Sequence, residues 1–249
     1  MYLVRDERLG GLAVAKILRP DRVGEGAAAA RLRREAELLL GVEHPNLARG
    51  LDAVLDGAFP HVLLEYHDEP SLRERVRAIG PLAPEEVAAV GGQVAEALAY
   101  LAAAGFVHLD VKPSNVVLGE NARLIDLGAA RPLETAARLR VPHGTDAYMA
   151  PEVCAAGDGG RPIGPAADVW SLGATLYYAA TGEVPFPRRR GARASGEAAV
   201  RFPQIQEPPA PMPDYVPPAL AEIVLGLLAV EPGERPRAGE VRALLERAR

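Results

Sequence analysis

The segment from His108 to Asn115 carries side chains suited to acid–base and metal chemistry. It reads His-Leu-Asp-Val-Lys-Pro-Ser-Asn, so Asp110 is followed by a cation two residues later, Lys112, and by an amide five residues later, Asn115. A loop of this kind can hold a base, a cation and a metal ligand around one transferred phosphoryl group. The same residue types also form ordinary surface turns, so the segment is informative only if the rest of the chain supplies matching parts.

Three other polar residues stand in contexts that permit chemistry. Asp126 ends a predicted strand and precedes Leu127-Gly128, which is common turn material but also presents a metal-binding carboxylate beside a flexible loop. Lys16 lies inside an apolar strand, either as an edge residue whose amine reaches solvent or as an inward cation that awaits an anion. Glu35 lies beside the apolar stripe of a predicted helix, where a solvated carboxylate is the ordinary interpretation.

The composition is that of a folded chain with a substantial core. Its 249 residues suit one large domain or two lobes that share a site, and its apolar content of 49% argues against disorder. The net charge of −5 argues against nucleic acid and membrane surfaces as partners. A single cysteine, Cys154, excludes an internal disulfide framework and a multi-cysteine zinc site. Without a signal peptide or an apolar run of about 18 residues, we expect a cytoplasmic protein with no membrane anchor in this chain.

The first part of the chain is predicted to form a small sheet with one helix. Short apolar runs, bounded by glycine, aspartate and charged residues, indicate strands at Tyr2–Val4, Leu12–Leu18, Leu47–Leu55 and His61–Tyr66. Apolar residues at helical spacing predict a helix from Ala27 to Val42.

From residue 71 onward the spacing of apolar residues becomes helical. The predicted elements are helices Ser71–Ile79, Pro84–Ala104, Ala166–Thr181, Pro218–Val230 and Pro236–Ala248, a short helix near Pro151, and a hairpin of Val116–Leu118 and Arg123–Ile125. Ala129–His143, which has no period, is predicted to be an exposed loop. The proline-rich stretch Pro185–Pro218 is predicted to be an irregular loop with some polyproline character and a solvated arginine run at 188–190, and a ligand for a proline-binding module is the disfavoured alternative. Asp168, inside an apolar helix, is either its N-terminal cap or a buried hydrogen-bond acceptor.

Taken in order, these pieces resemble the protein kinase family, in its bacterial form that is similar to eukaryotic Ser/Thr kinases. The resemblance runs over nearly the whole chain and rests on Ala13-Val14-Ala15-Lys16, Glu35, His108–Asn115, Asp126-Leu127-Gly128, Ala150-Pro151-Glu152 and Asp168–Gly173. It implies an α+β, bilobal fold with a small β-sheet N-lobe that carries one helix and a mainly α-helical C-lobe. Residues 1–67 would form the N-lobe and hinge, and residues 68–249 the C-lobe. Glu152 and Arg235 resemble the ion pair that ties the family's substrate loop to its last helices.

The resemblance implies that the chain uses ATP and Mg²⁺. Lys16 would contact the α- and β-phosphates and be held by Glu35, without which the lysine would be a loose cation on a flexible stem. Asp126 would bind the Mg²⁺ that bridges the phosphates, and Asn115 would bind the second Mg²⁺.

The resemblance also implies catalytic residues and a substrate class. Asp110 would accept or orient the proton of the substrate hydroxyl, and Lys112 would offset charge on the transferred γ-phosphoryl group. The backbone at Glu65 and His67 would hydrogen-bond adenine. Lys112 and Thr145 follow the Ser/Thr version of the pattern, so the expected partner is a protein substrate with a Ser or Thr hydroxyl.

One family element is missing from the sequence. The glycine-rich loop that covers the phosphates should precede the first hairpin, but Met1 already stands at the valine that follows those glycines. We expect that the true start lies upstream and that Met1 is an internal valine codon. The alternative is a pseudokinase or an N-terminally truncated kinase that acts as a binding or scaffold module. A small-molecule kinase is disfavoured by the protein-substrate pattern from Thr145 to Glu152.

Three single residues also depart from the family pattern. Leu109 replaces the arginine that commonly precedes the catalytic aspartate and pairs with a phosphorylated loop, so we expect that loop phosphorylation is not the main switch. Leu127 replaces a phenylalanine and should preserve the apolar packing beneath the helix that bears Glu35. Val14 replaces a small alanine above adenine and should narrow the roof of the nucleotide site.

Overall fold

The structure is a computed structural model that describes residues 1–8, 10–19, 26–157, 161–187 and 198–248. The arginine run at 188–190 and the adjoining part of the predicted loop, up to residue 197, lie outside the described residues. Among those that are described, the chain forms a four-stranded sheet with one helix. A mainly helical part follows, with two short two-stranded sheets around the polar loop.

The N-terminal sheet is antiparallel throughout, with the spatial order β1-β2-β4-β3. Its strands and helix are β1 Tyr2–Asp6, β2 Gly11–Ile17, β3 Gly50–Val54, β4 His61–Glu65 and α1 Gly26–Gly41. Strand β2 lies inside the sheet because it pairs with both β1 and β4. Its alternation places Ala13 and Ala15 on one buried face and Lys16 on the other. The predicted hairpin and helix are confirmed, whereas the predicted third strand is shorter and begins at Gly50 instead of Leu47.

The C-terminal part is built on apolar helices that pack against one another. They are α2 Leu72–Ile79, α3 Pro84–Ala103, α6 Pro165–Thr181, α8 Pro218–Leu227 and α9 Ala238–Arg247. Helix α3 packs against both α6 and α9, and α6 packs against α8. Local signals set the helix ends: a capping box of Ser71 and Glu74 begins α2, and Gly182 ends α6 with a φ of 78°.

Short elements surround the polar loop. Strand β5, Phe106–Val107, precedes the loop, and the hairpin β6 Val116–Leu118 and β7 Ala122–Leu124 follows it. The prediction of an irregular loop at Ala129–His143 was wrong in part. Strand β8, Arg131–Pro132, pairs with β5, and α4, Leu133–Ala136, buries Ala136 completely. Strand β8 has two residues and α4 has four, which is too short for a periodic pattern of apolar residues. Their conformation is therefore set by the elements they pack against.

The predicted loop at Pro185–Pro218 also contains structure. Helix α7, Ala198–Arg201, is followed by a 3₁₀ turn at Pro203–Ile205 that buries Gln204. The amide of Gln204 donates to the carbonyl oxygens of Asp146 and Met149 at 2.7 and 3.1 Å. This turn therefore supports the segment ahead of the short helix α5, Pro151–Cys154.

A second buried cluster lies between α5 and α6 and contains the single tryptophan. Trp170 is 1% exposed, and its ring stacks on Phe186 at 5.5 Å between centroids. The guanidinium of Arg235 lies 5.0 Å from the centroid of the Trp170 ring. Arg235 also forms a two-point ion pair with Glu152 at 2.7 and 2.8 Å, and both side chains are almost fully buried. The predicted Glu152–Arg235 pair is thus present in the structure.

Candidate active site

Lys16 joins three separate elements through its amine. From β2, its Nζ donates to Oε1 of Glu35 on α1 at 2.6 Å and to Oδ1 of Asp126, two residues after β7, at 2.9 Å. The side chain of Glu35 is only 3% exposed, so this pair is not the solvated carboxylate that the local sequence suggests. Of the two alternatives for Lys16, the inward-facing cation is therefore correct.

The electrostatics of this cluster favour a charged lysine beside a charged Asp126. Burial by itself lowers the pKa of Lys16, but attraction by Asp126 and Glu35 outweighs it and raises the pKa above its usual value. Burial acts to raise the pKa of Asp126, yet Lys16 and the N–H of Gly128 hold that pKa below its usual value. Burial raises the pKa of Glu35, and Lys16 offsets this only in part.

Gly128 leaves the space in which this cluster forms. A Cβ at this position would lie 2.8 Å from Nζ of Lys16 and 3.1 Å from each carboxylate oxygen of Glu35. Asp126 itself adopts a left-handed conformation with a φ of 66°, and its carboxylate accepts a hydrogen bond from the Gly128 N–H at 3.3 Å. The tight turn therefore directs the carboxylate of Asp126 toward Lys16, and the absence of a side chain at Gly128 leaves room for the lysine amine.

A second cluster surrounds Asp110 in the polar loop. Its Oδ2 accepts from Nζ of Lys112 at 2.6 Å and from Nδ2 of Asn115 at 3.3 Å. Its Oδ1 accepts from the hydroxyl of Thr145 at 2.6 Å, and Lys112 donates to the same hydroxyl at 2.9 Å. The loop thus places a carboxylate, a cation and a hydroxyl in mutual contact, with the amide of Asn115 closing the group.

The backbone of the polar loop is held by α6. The buried carboxylate of Asp168 accepts from the N–H groups of His108 and Leu109 at 2.7 and 2.8 Å. Asp168 is therefore a buried acceptor and not an N-terminal cap. Burial raises its pKa to about 7, against the opposing effect of these two hydrogen bonds. Leu109 has a φ of 64° and a buried side chain, so the bonds from Asp168 support a strained backbone conformation.

His108 is a buried, neutral part of the same loop. Its Nδ1 accepts from the N–H of Asp110 at 3.2 Å, which assigns the ring proton of the neutral side chain to Nε2. Burial lowers the pKa of His108 to about 4, and the nearby carboxylates only partly oppose this. The ring therefore stays uncharged near pH 7 and serves to orient the backbone of Asp110.

A cavity of about 340 Å³ lies next to Lys16 and Asp126. Residues 1–3, β2, β4 and the β6–β7 hairpin contribute to its wall, which includes Val14, Leu64, Glu65, His67, Val117 and Ile125. Val14 is among the residues that line the cavity, and the expected narrowing of its roof by this side chain stays a prediction. The predicted hinge residues Glu65 and His67 are therefore at the edge of a space large enough for a small ligand.

The oxygen donors near this cavity fit a hard divalent cation. The amide nitrogen of Asn115 donates to the carbonyl oxygen of Asp110 at 2.9 Å, so its side-chain oxygen points away from that carbonyl. The backbone carbonyl oxygen of Asn115 accepts a hydrogen bond from the backbone N–H of Ile125 at 2.8 Å. Asn115 therefore lies beside the residue that precedes Asp126. Carboxylate and amide oxygens suit Mg²⁺, which keeps several waters and needs few protein ligands. No larger His, Cys, Asp or Glu metal cluster occurs in the described part of the chain.

Sequence reasoning did not find every residue that shapes the site. Thr145 was expected only as part of a substrate pattern, and its direct bonds to Asp110 and Lys112 depend on a turn far along the chain. Asp146 pairs with Arg201 through two contacts of 3.1 Å, which sequence reasoning missed because Arg201 lies in a segment without period. Arg131 donates to three successive backbone carbonyls after Asp126, a contact for which the sequence carries no local signal.

The family is established by comparison as well as by this geometry. A sequence model of the family described as "Protein kinase domain" matches residues 1–244. The chain belongs to the protein kinase family. The fold agrees with the α+β architecture expected from the sequence.

Several of the similar proteins are bacterial. The chain is 36% identical over 239 residues to the probable serine/threonine-protein kinase PkwA of Thermomonospora curvata, covering 95% of this chain and 31% of that protein. It is 32% identical over 265 residues to the serine/threonine-protein kinase PknB of Mycolicibacterium smegmatis, covering 99% and 40%. It is 33% identical over 236 residues to the serine/threonine-protein kinase PkaA of Streptomyces coelicolor, covering 92% and 41%.

The chain thus spans less than half the length of each of these three relatives. Within the residues for which the structure gives a placement, no helix has the length and apolar character needed to cross a membrane.

Proposed function

We propose that this chain transfers the γ-phosphoryl group of ATP to serine or threonine hydroxyls of a protein substrate, in the presence of Mg²⁺. The observation that carries the proposal is the pair of bonds from Lys16 to Glu35 and Asp126 beside an open cavity. A lysine fixed between two carboxylates is a directed cation, which is what recognition of polyphosphate requires. The printed names of the relatives, which are serine/threonine-protein kinases, support the same activity.

In this proposal the nucleotide lies between two lobes, residues 1–67 and residues 68–249. Adenine occupies the cavity beneath Val14 and meets the backbone of Glu65 and His67. The phosphates extend toward Lys16. The support for this orientation is that a single cavity is lined by the hinge residues Glu65 and His67 and also by Lys16 and Asp126.

Asp126 and Asn115 would hold Mg²⁺, which when bound supplies positive charge to the phosphates. The protein's own contribution is to fix the two oxygen donors. Asp126 is kept ionised by Lys16, and Asn115 is oriented by its donation to the backbone of Asp110.

Asp110 would act on the acceptor hydroxyl. Its Oδ1 already accepts a bond from the Thr145 hydroxyl at 2.6 Å, the same kind of bond that a substrate serine or threonine would make. In the transfer, the substrate hydroxyl would pass its proton to Asp110 while its oxygen bonds to the γ-phosphorus and ADP leaves. Lys112, 2.6 Å from Asp110, would balance the negative charge that gathers between the base and the phosphoryl group.

The test is transfer of labelled phosphate from γ-labelled ATP, with Mg²⁺, to the chain itself and to a generic protein acceptor. Asp110→Asn should lower the transfer rate by roughly 10²–10⁴-fold, because the hydroxyl loses its base. Asp56→Asn is the matched control, since that carboxylate is 94% exposed and lies away from the cavity lining. Absence of transfer in the unaltered chain, with nucleotide binding retained, would favour a binding or scaffold module instead.

A further inference from the structure

A surface groove next to the polar loop carries two arginines for which the proposed mechanism has no use. Arg73 and Arg77 are exposed, and they stand four residues apart on α2, so they share one helix face. Together with Ser114 of the polar loop they line a groove of about 480 Å³. The other polar residues of its wall are Glu69, Ser71 and Glu74.

One of the two carboxylates in the groove, Glu74, is already engaged within its own helix, whereas the two arginines are available. Glu74 accepts from the N–H and the hydroxyl of Ser71 at 2.9 and 2.7 Å, as part of the capping box. Glu69 lies 3.9 Å from Nδ1 of His67, on the hinge side. Among the residues placed by the structure, neither Arg73 nor Arg77 has a carboxylate within ion-pairing distance.

The third arginine of α2 differs from the other two. Arg75 donates to the carbonyl of Gly80 at 3.3 Å and lies 4.0 Å from Glu86, so it is bound within the fold. Of the three arginines of α2, one is therefore bound within the fold and two face the groove without an anionic partner.

The groove leads to Asp110 through the polar loop. The 3₁₀ turn that contains Ser114 packs against α2, and the next residue, Asn115, bonds to Asp110. A peptide that presents its hydroxyl to Asp110 can thus extend over α2.

We propose that Arg73 and Arg77 determine substrate specificity by binding acidic residues that flank the phosphorylated serine or threonine. The inference rests on the proposed function and adds a substrate class to it. Asp110 and Asp126 each have a lysine partner, so the two unpaired guanidinium groups supply the positive charge that an acidic flank would meet on one side of the acceptor. Arginine suits the task because its planar group binds a carboxylate through two parallel bonds.

The experiment measures binding of labelled peptides by fluorescence anisotropy. The peptides share a central threonine and carry glutamate, glutamine or lysine on its N-terminal or C-terminal side. One of the glutamate peptides should bind roughly tenfold more tightly than its glutamine counterpart, as expected for two partly exposed ion pairs. The preference should weaken as ionic strength rises.

Two variants assign the preference to α2. Arg73→Glu/Arg77→Glu should abolish or reverse it, and the milder Arg73→Gln/Arg77→Gln should abolish it with less risk to folding. Arg247→Glu is the matched control, because Arg247 is an exposed residue of α9 that lines no groove near the loop. Equal affinity for glutamate and glutamine peptides, or a preference that survives both double variants, would overturn the inference.

Two further measurements distinguish this inference from nucleotide binding in the groove and from the proposed phosphoryl transfer itself. The peptide should remain bound when a non-hydrolysable ATP analogue saturates the cavity, and competition between the two would show that the groove belongs to the nucleotide, against the inference. Phosphoryl transfer is then measured on the same peptides. Binding with the acidic preference but without transfer would contradict the proposed function alone, whereas transfer without any acidic preference would contradict this inference alone.

Discussion

A methyl group at position 128 would occupy the space in which Lys16 meets its two carboxylates. The Gly128→Ala variant should therefore displace the lysine amine, since a flexible side chain yields more easily than the turn around it. We expect transfer from Mg·ATP to fall at least tenfold, with a loss of stability below about 1.5 kcal/mol. Steady-state transfer rates and thermal unfolding measure the two effects.

Gly41→Ala serves as the control for that substitution. Gly41 ends α1, and a Cβ there would meet nothing within 4 Å. If Gly41→Ala and Gly128→Ala had equal transfer rates, the bonds from Lys16 would not be needed for activity.

His108 should make the stability of the protein depend on pH. Burial lowers its pKa in the folded state from 6.5 to about 4, so between these values the unfolded state binds the extra proton. The contribution of the uncharged His108 to the free energy of unfolding is fully present above pH 6.5 and is lost as pH falls toward the folded-state pKa. The total loss is on the order of 3 kcal/mol. Urea unfolding from pH 7 to pH 4 measures the dependence.

The His108→Gln variant isolates this contribution from the carboxylates that titrate in the same range. Its free energy of unfolding should fall less steeply with decreasing pH than that of the unaltered protein. Parallel curves for the two proteins would mean that His108 has the same pKa in the folded and unfolded states.

At the scale of elements, the Glu152–Arg235 pair joins α5 to the segment before α9. Both charges are withdrawn from water, so removal of one partner leaves the other buried and unpaired. Arg235→Ala should cost roughly 3–5 kcal/mol of unfolding free energy, part of it from the lost contact with Trp170. Urea unfolding is again the measurement.

Arg161→Ala is the comparison for Arg235→Ala. Arg161 pairs with Glu231, but both of these side chains are about half exposed. Its removal should cost less than about 1 kcal/mol, as is usual for surface pairs. A similar small loss for Arg235→Ala would show that the buried pair is replaced by solvent without penalty.

Elements with a strong apolar period were predictable from the sequence, and elements fixed by distant partners were not. The bounds of α3 and α6 differ by one residue at one end from their predicted ranges, because Pro, Gly and the apolar stripe act locally. By contrast, β8 forms only by pairing with β5. Helix α7 packs against the turn that carries Gln204, whose amide binds the carbonyl of Asp146. No local signal distinguishes such segments from loops.

The same distinction applies to the candidate site. The identities of Lys16, Asp110 and Asp126 followed from motif order, since each stands in a short pattern of its own. Their partners in space were harder to predict. Thr145 and Asp168 reach Asp110 and its loop across 35 and 59–60 residues of sequence, and only the fold brings them together.

At the scale of the whole molecule, the cavity joins the sheet to the helical part, so a bound nucleotide should stabilise both. At a concentration one hundred times its Kd, Mg·ATP analogue should add about 2.7 kcal/mol, a rise in Tm of roughly 5–10 °C. Asp126→Asn should remove the part of this rise that depends on Mg²⁺, and Asp56→Asn should keep it. A rise that is identical with and without Mg²⁺ in the unaltered protein would contradict a metal role for Asp126.

The single tryptophan gives the chain an optical property that is independent of its chemistry. The Trp170 indole N–H is buried and, within the described ranges, has no hydrogen-bond acceptor, while Phe186 covers one side of the ring. Indole in such dry surroundings emits at short wavelength, and emission shifts to the red when water reaches it. Intrinsic fluorescence should therefore report the opening of the cluster between α5 and α6, at a site that shares no lining residue with the nucleotide cavity. Unfolding can thus be followed on the unlabelled protein by a signal that does not arise in the nucleotide cavity.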